Sequence, residues 1–181
     1  MARLTPVAPI SPVKLHDLND WLSRLPPLAD DAASFAADVE AANPGPGDDA
    51  WVSSMAAAQR AYEITVAYVN ERKAFGQPIA AFQNTRFKLA DLKTELLVGW
   101  AFVDQCLDRH ERGELDTFDA SAAKLWCSEM HGRMVDACVQ LHGGYGFMRE
   151  YEICRLYADA RVQRIYGGTS EIMRELISRN L

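Results

Sequence analysis

Beyond residue 47 the chain is almost without proline: seven of its eight prolines come earlier, and Pro78 is the eighth. Long helices are therefore open to this part of the chain, because an internal proline removes a backbone donor and clashes with the preceding turn. No apolar run approaches the length of a transmembrane helix. The first fifteen residues are broken by Pro6, Pro9 and Pro12 and lack the apolar centre of a signal peptide. Cys106, Cys127, Cys138 and Cys154 form no CxxC pair and no metal-type spacing with the four histidines. They read as small, reduced residues on helix faces, as in a reducing compartment, and a cytoplasmic location is expected. Positive charge is in deficit, 19 Lys and Arg against 25 Asp and Glu, for a net charge of −6. That balance argues against nucleic acid or an anionic membrane surface as the main partner.

With 181 residues, 49% of them hydrophobic and 24% charged, the chain fits one soluble domain plus an extension. Residues 1–47 are the extension, a proline-rich linker or docking segment. Two short amphipathic helices, Asp17–Leu25 and Asp30–Ala42, are expected in it, and Asn43-Pro44-Gly45-Pro46-Gly47 breaks the chain before the domain. From Asp48 onward apolar residues recur at three and four. Trp51, Met55, Ala58, Tyr62, Thr65 and Val69 form one stripe, on a helix expected to stop near Phe75-Gly76-Gln77-Pro78. Leu89, Leu92, Leu96, Trp100, Val103 and Leu107 form a second, on a helix from about Gln83 to Arg112 closed by Gly113. A third helix, Thr117 to His142, carries Ala123, Leu125, Trp126, Met130, Met134, Val135 and Val139 and ends at Gly143-Gly144. Shorter helices follow within Glu150–Val162 and from Thr169 to Asn180. No strand-type alternation competes, so residues 48–181 are expected to form an all-α, antiparallel four-helix-bundle-type domain.

Two glycine pairs punctuate the last third, in Gln140-Leu141-His142-Gly143-Gly144-Tyr145-Gly146 and in Arg164-Ile165-Tyr166-Gly167-Gly168-Thr169-Ser170-Glu171. Each is open to two readings: a helix stop or turn, or a place where backbone closely approaches a ligand. Further motifs accompany them: Tyr68-Val69-Asn70-Glu71-Arg72-Lys73-Ala74-Phe75-Gly76-Gln77-Pro78-Ile79 with Phe82-Gln83, Phe87-Lys88-Leu89-Ala90-Asp91, and Tyr157-Ala158-Asp159-Ala160-Arg161. In register over roughly residues 50–181, this set resembles the C-terminal helical domain of the acyl-CoA dehydrogenases, nearest in look to the long-chain branch.

The resemblance implies a flavoprotein that removes hydrogens from Cα and Cβ of an acyl-CoA or other acyl thioester, with a carboxylate as base and FAD as hydride acceptor. It implies a homo- or hetero-oligomer of such subunits, with the FAD shared across a subunit interface and not held by this chain alone. By position, Arg72 and Phe75 would contact the FAD diphosphate and adenosine region, a role suited to the bidentate guanidinium and an aromatic ring. The plain alternative is a solvated arginine at a helix end and a phenylalanine stapling the turn. Gln83 would hydrogen-bond the cofactor. Gln140, Leu141, Gly143 and Gly144 would bring backbone to the adenosine-diphosphate half of the partner subunit's FAD. Thr169 and Glu171 would lie near the flavin or adenine end, with Thr169 also able to cap its helix; the plain alternative for Glu171 is a first-turn acid. Gly168 would adjoin the substrate.

Most members of the family place the base directly before the Gly-Thr of the last motif; here that residue is Gly167, which has no proton acceptor. The long-chain and isovaleryl branches take a Glu from the opening helix instead, and the matching stretch here, Pro44-Gly45-Pro46-Gly47-Asp48-Asp49, contains none. Asp48 and Asp49 are the remaining carboxylates there, one methylene shorter and equally suited to capping. No metal site is expected. Two functions remain: the helical component of a split or heteromeric acyl-thioester dehydrogenase, or a non-catalytic, truncated relative serving as a helical interaction module.

Overall fold

The computed structural model describes residues 48–179 and 181. The expected helices Asp17–Leu25 and Asp30–Ala42 and the linker that follows them lie outside the described residues. The described part consists of α1 (Asp48–Glu71), a hairpin of β1 (Lys73–Ala74) and β2 (Gln77–Pro78), a 3-10 turn (Ile79–Ala81), α2 (Gln83–Glu111), α3 (Thr117–His142), a second 3-10 turn (Gly143–Phe147), α4 (Glu152–Val162) and α5 (Ser170–Ser178).

Local chemistry sets most of these boundaries. The Asp116 carboxylate accepts the Asp119 N–H at 2.8 Å and caps α3. At the end of α2 the Gly113 N–H donates to the His110 carbonyl at 2.9 Å and the Glu114 N–H to that of Arg109 at 2.8 Å, a Schellman closure that needs Gly113 at φ +69°. The Thr169 hydroxyl accepts the Ile172 N–H at 3.4 Å, which makes Thr169 the cap of α5 and starts that helix one residue later than expected.

The end of the first helix departs further from expectation. The first helix stops at Glu71, and strands pair where none was foreseen, Lys73 with Pro78 and Ala74 with Gln77. The intervening residues, Phe75 at φ +51° and Gly76 at φ +84°, are both left-handed, the pattern of a tight hairpin turn. Strands of two residues are too short to show a period, so only the turn could have announced them.

Named contacts fix the directions of the helices. The Trp100 indole N–H donates to Gln59 at 2.7 Å and Lys93 stands 5.8 Å from the centre of the Tyr62 ring, which runs α2 antiparallel to α1. A short link and the 3.4 Å Arg133–Glu95 contact return α3 against α2. Arg60 grips Glu152 through two bonds of 2.8 and 2.7 Å, and the Ser54 hydroxyl donates to Gln163 at 3.2 Å, so α4 again descends along α1. The result is the up-down-up-down bundle that the stripes implied, with α5 laid on α3. Its core holds Trp51, Met55, Ala58, Leu92, Leu96, Val103, Met130, Met134, Val135 and Ile153. Trp100 and Trp126 pack against this core from its half-buried edge.

Candidate functional site

The bundle sorts the sequence-nominated residues into two groups at opposite ends. Arg72, Phe75, Gln83, Gln140, Leu141, Gly143 and Gly144 gather where α1 and α3 finish. Gly167, Gly168, Thr169 and Glu171 lie beside the first half of α3, where the buried Lys124 donates to the Gly168 carbonyl. From Lys124 to His142 the same helix climbs about 27 Å at 1.5 Å per residue. One copy of the domain therefore does not bring the two groups to a single point.

At the first end, Tyr68 joins α1 to α3. Its ring stacks on His142 with centroids 4.2 Å apart, and its hydroxyl donates to the His142 carbonyl at 3.3 Å. The exposed Arg72 then lies with its guanidinium 5.2 Å from the centre of the ring of Tyr145, the residue after Gly143-Gly144. A Cβ added at Gly143 or Gly144 would meet nothing within 4 Å, so the surface beside this backbone is open. Gly143 is required by its own φ of +59°, and Gly146 by packing, since a Cβ there would lie 2.5 Å from the Val139 carbonyl. Gly144 has neither constraint. Phe75, 96% exposed, rests its ring edge-on against Phe82 at 6.3 Å, beside the exposed Gln83 that begins α2. A cation, an open stretch of glycine backbone and an exposed aromatic ring thus lie at one end of the bundle, residue types that suit an anionic diphosphate joined to a flat ring system. His142 itself is buried, its Nδ1 2.9 Å from the Cys138 carbonyl, and its pKa is pushed down by desolvation.

At the second end, Gly167 (φ +60°) and Gly168 (φ +90°) form a left-handed turn before the Thr169 cap. Glu129 of α3 accepts from the Ser170 hydroxyl at 2.8 Å and lies 3.3 Å from Arg164 and 3.6 Å from Arg174. Burial raises the Glu129 pKa, but Ser170 and the two arginines outweigh it and hold the carboxyl below its ordinary range. Glu171 is exposed in the first turn of α5, 3.8 Å from Arg174, with its pKa lowered by its own backbone N–H and by Thr169. Gly167 carries no side chain, and a Cβ there would enter open space. Asp48 and Asp49 are the first two residues of α1, at the end of that helix that meets α4 through Ser54 and Gln163.

Lys124, Glu129 and the buried His131 escaped the sequence reading. Lys124 and His131 are polar residues on the buried face of α3 and Glu129 is half-buried beside them, and position along the helix was the only signal. Among the described residues no group of His, Cys, Asp or Glu could hold a metal ion, and no helix is long and apolar enough to cross a membrane. All four cysteines are free. Burial pushes the Cys127 thiol up to about 12 and the Cys138 thiol up to about 11, so neither forms a thiolate near neutrality.

Comparisons with known proteins agree with this architecture. The family model of the acyl-CoA dehydrogenase C-terminal domain matches residues 50–181. The mitochondrial long-chain specific acyl-CoA dehydrogenase of Rattus norvegicus is 52% identical over 128 residues, which cover 71% of this chain and 30% of that protein. The acyl-CoA dehydrogenase of Geobacillus kaustophilus superposes with a TM-score of 0.71 at 40% identity, covering 72% of this chain and 34% of that one. A glutaryl-CoA dehydrogenase of Mycobacterium smegmatis, solved in complex with FADH2, gives a TM-score of 0.72 at 25% identity over 85% of this chain and 39% of that one. The chain thus spans about a third of the length of these relatives. It belongs to the acyl-CoA dehydrogenase family, and residues 50–181 are its C-terminal domain.

Proposed function

We propose that the chain takes part in FAD-dependent α,β-dehydrogenation of an acyl-CoA or similar thioester, as one component of a split or heteromeric enzyme. The observation that carries this reading is Arg72, held over the ring of Tyr145, the residue that follows the open backbone of Gly143 and Gly144. Arg72 would bind the FAD diphosphate, Gly143 and Gly144 would admit it closely, and Phe75 would cover the adenosine, with Gln83, Gln140 and Leu141 around them. The FAD, when bound, accepts hydride from the substrate. Thr169 and Glu171, at the other end of the bundle, would serve a different cofactor copy. The separation of about 27 Å along α3 supports sharing between subunits of a homo- or hetero-oligomer. Gly168 would adjoin the thioester.

Proton abstraction needs a carboxylate that Gly167 does not supply. Asp48 and Asp49 are the candidates within the described residues, and any other base would come from a further polypeptide segment or partner. The four free thiols, three of them buried, support a reducing compartment, and cytoplasm is our assignment.

The test is an absorbance spectrum of the protein purified with whatever accompanies it. A flavin spectrum that bleaches with an acyl-CoA is expected, and Arg72→Glu should lose the flavin. Unchanged flavin content in that variant would remove the cofactor role. The bare Gly167 favours a second reading, a non-catalytic interaction module, which predicts a colourless complex whatever the partner.

A further inference from the structure

We propose that Lys124 is a positioning residue: through the Gly168 carbonyl it fixes the Gly167-Gly168-Thr169 turn and turns the Thr169 N–H away from α3, toward an acceptor atom of a bound cofactor or thioester. The turn's place in the site rests on the function proposed above.

Two consecutive glycines in left-handed conformations do not define a turn by themselves, because glycine has the widest choice of backbone states. The turn is fixed from outside. The Ser170 N–H closes the loop on the Arg164 carbonyl at 3.2 Å, and α3 supplies two tethers. Glu129 holds the Ser170 hydroxyl, and Lys124 holds the Gly168 carbonyl. Lys124 is only 7% exposed, a costly place for an ammonium. Burial pulls its pKa down while Glu129 opposes the shift. Glu129 is itself occupied by Ser170, Arg164 and Arg174, so the lysine's direct partner is the turn.

Peptide geometry supplies the consequence. In a planar trans peptide the C=O and N–H point in opposite directions. Lys124 draws the Gly168 carbonyl toward α3, and the N–H of the same peptide, that of Thr169, is directed away from it. A side chain buried on one helix thereby orients a donor on the opposite side of the turn.

The experiment compares Lys124→Met, Lys124→Gln and Lys124→Arg in the full chain. Arg60→Ala, which loses a remote contact to Glu152, is the control for general destabilisation. Amide hydrogen exchange is read across residues 166–173 together with thermal unfolding. Loss of the ammonium should raise exchange in the turn and first turn of α5 at least tenfold, Lys124→Arg should restore most of the protection, and Arg60→Ala should leave it unchanged. Equal exchange in the turn for Lys124→Gln, Lys124→Met and Arg60→Ala would overturn the proposal, as would failure of arginine to rescue. These readings need no flavin and stand apart from the functional assignment. If the turn loosens but flavin content and acyl-CoA KM of the assembled enzyme do not change, the placement of the turn in the site is overturned.

Discussion

Tyr68 and His142 stack at 22° between ring planes, tying the last full turn of α1 to the last residue of α3. Because the two helices end together, Arg72 and Tyr145, far apart in sequence, come within 5.2 Å, guanidinium to ring centre. Truncating Tyr68 to Ala should cost about 3 kcal/mol, through lost ring packing and an opened gap. Tyr68→Phe keeps the stack and loses one bond at 3.3 Å, so it should cost about 1 kcal/mol or less. Denaturant unfolding separates the two, and flavin retention should follow the stack and not the hydroxyl.

Gly99 and Gly144 should respond in opposite ways to alanine. A Cβ at Gly99 of α2 would lie 2.6 Å from Met55 Cε of α1 and 2.7 Å from Trp126 Cζ3 of α3. Gly99→Ala should therefore destabilise by about 1–3 kcal/mol through overpacking. Gly144→Ala meets nothing within 4 Å and should leave the melting temperature nearly unchanged. If the Gly144 backbone approaches the cofactor, flavin content falls in this stable variant, and unchanged flavin content there refutes that approach.

Gly167→Glu places a carboxylate at the family's usual base position. Its Cβ enters open space, so the cost is that of a side chain at φ +60°, about 1–2 kcal/mol. The variant should fold, and in the assembled flavoprotein it should raise acyl-CoA-dependent flavin bleaching above the parent. No gain in bleaching rate would show that the turn does not face the substrate.

His131 makes acid sensitivity part of the core. It is 1% exposed, neither ring nitrogen has a hydrogen-bond partner among the described residues, and desolvation, opposed by Asp159, lowers its pKa to about 4. Its folded pKa lies below the ordinary value of 6.5, so between them the unfolded chain binds the extra proton. Stability should hold above about pH 6.5 and fall as the pH drops toward 4, with a loss of about 3 kcal/mol. His142, also shifted down by burial, acts in the same direction. Melting curves of the parent and of His131→Phe between pH 7 and 4 provide the check: the variant should show the shallower slope.

Much of the fold was legible because it is set locally. The Asp116 cap, the Gly113 closure, the stop at Gly143 and the three apolar stripes each act within a few residues, and α2 and α3 begin and end within a residue of where those signals put them. The hairpin at Lys73–Pro78 was not legible, since its strands are shorter than any period and Phe75 is an unusual residue for a left-handed turn. Nor was the burial of Lys124 and His131. A charge in a stripe reads as solvated until the partner helix or loop is known to cover it.

The sequence by itself determined the helices, their apolar faces and the family, because spacing, caps and in-register motifs are properties of the chain alone. Only the tertiary structure decided that Arg72 reaches the Tyr145 ring, just past Gly143 and Gly144, that Gly168 is held by Lys124, and that these two groups stand far apart along α3. Those are outcomes of helix direction and packing, which bring together residues that no local signal connects.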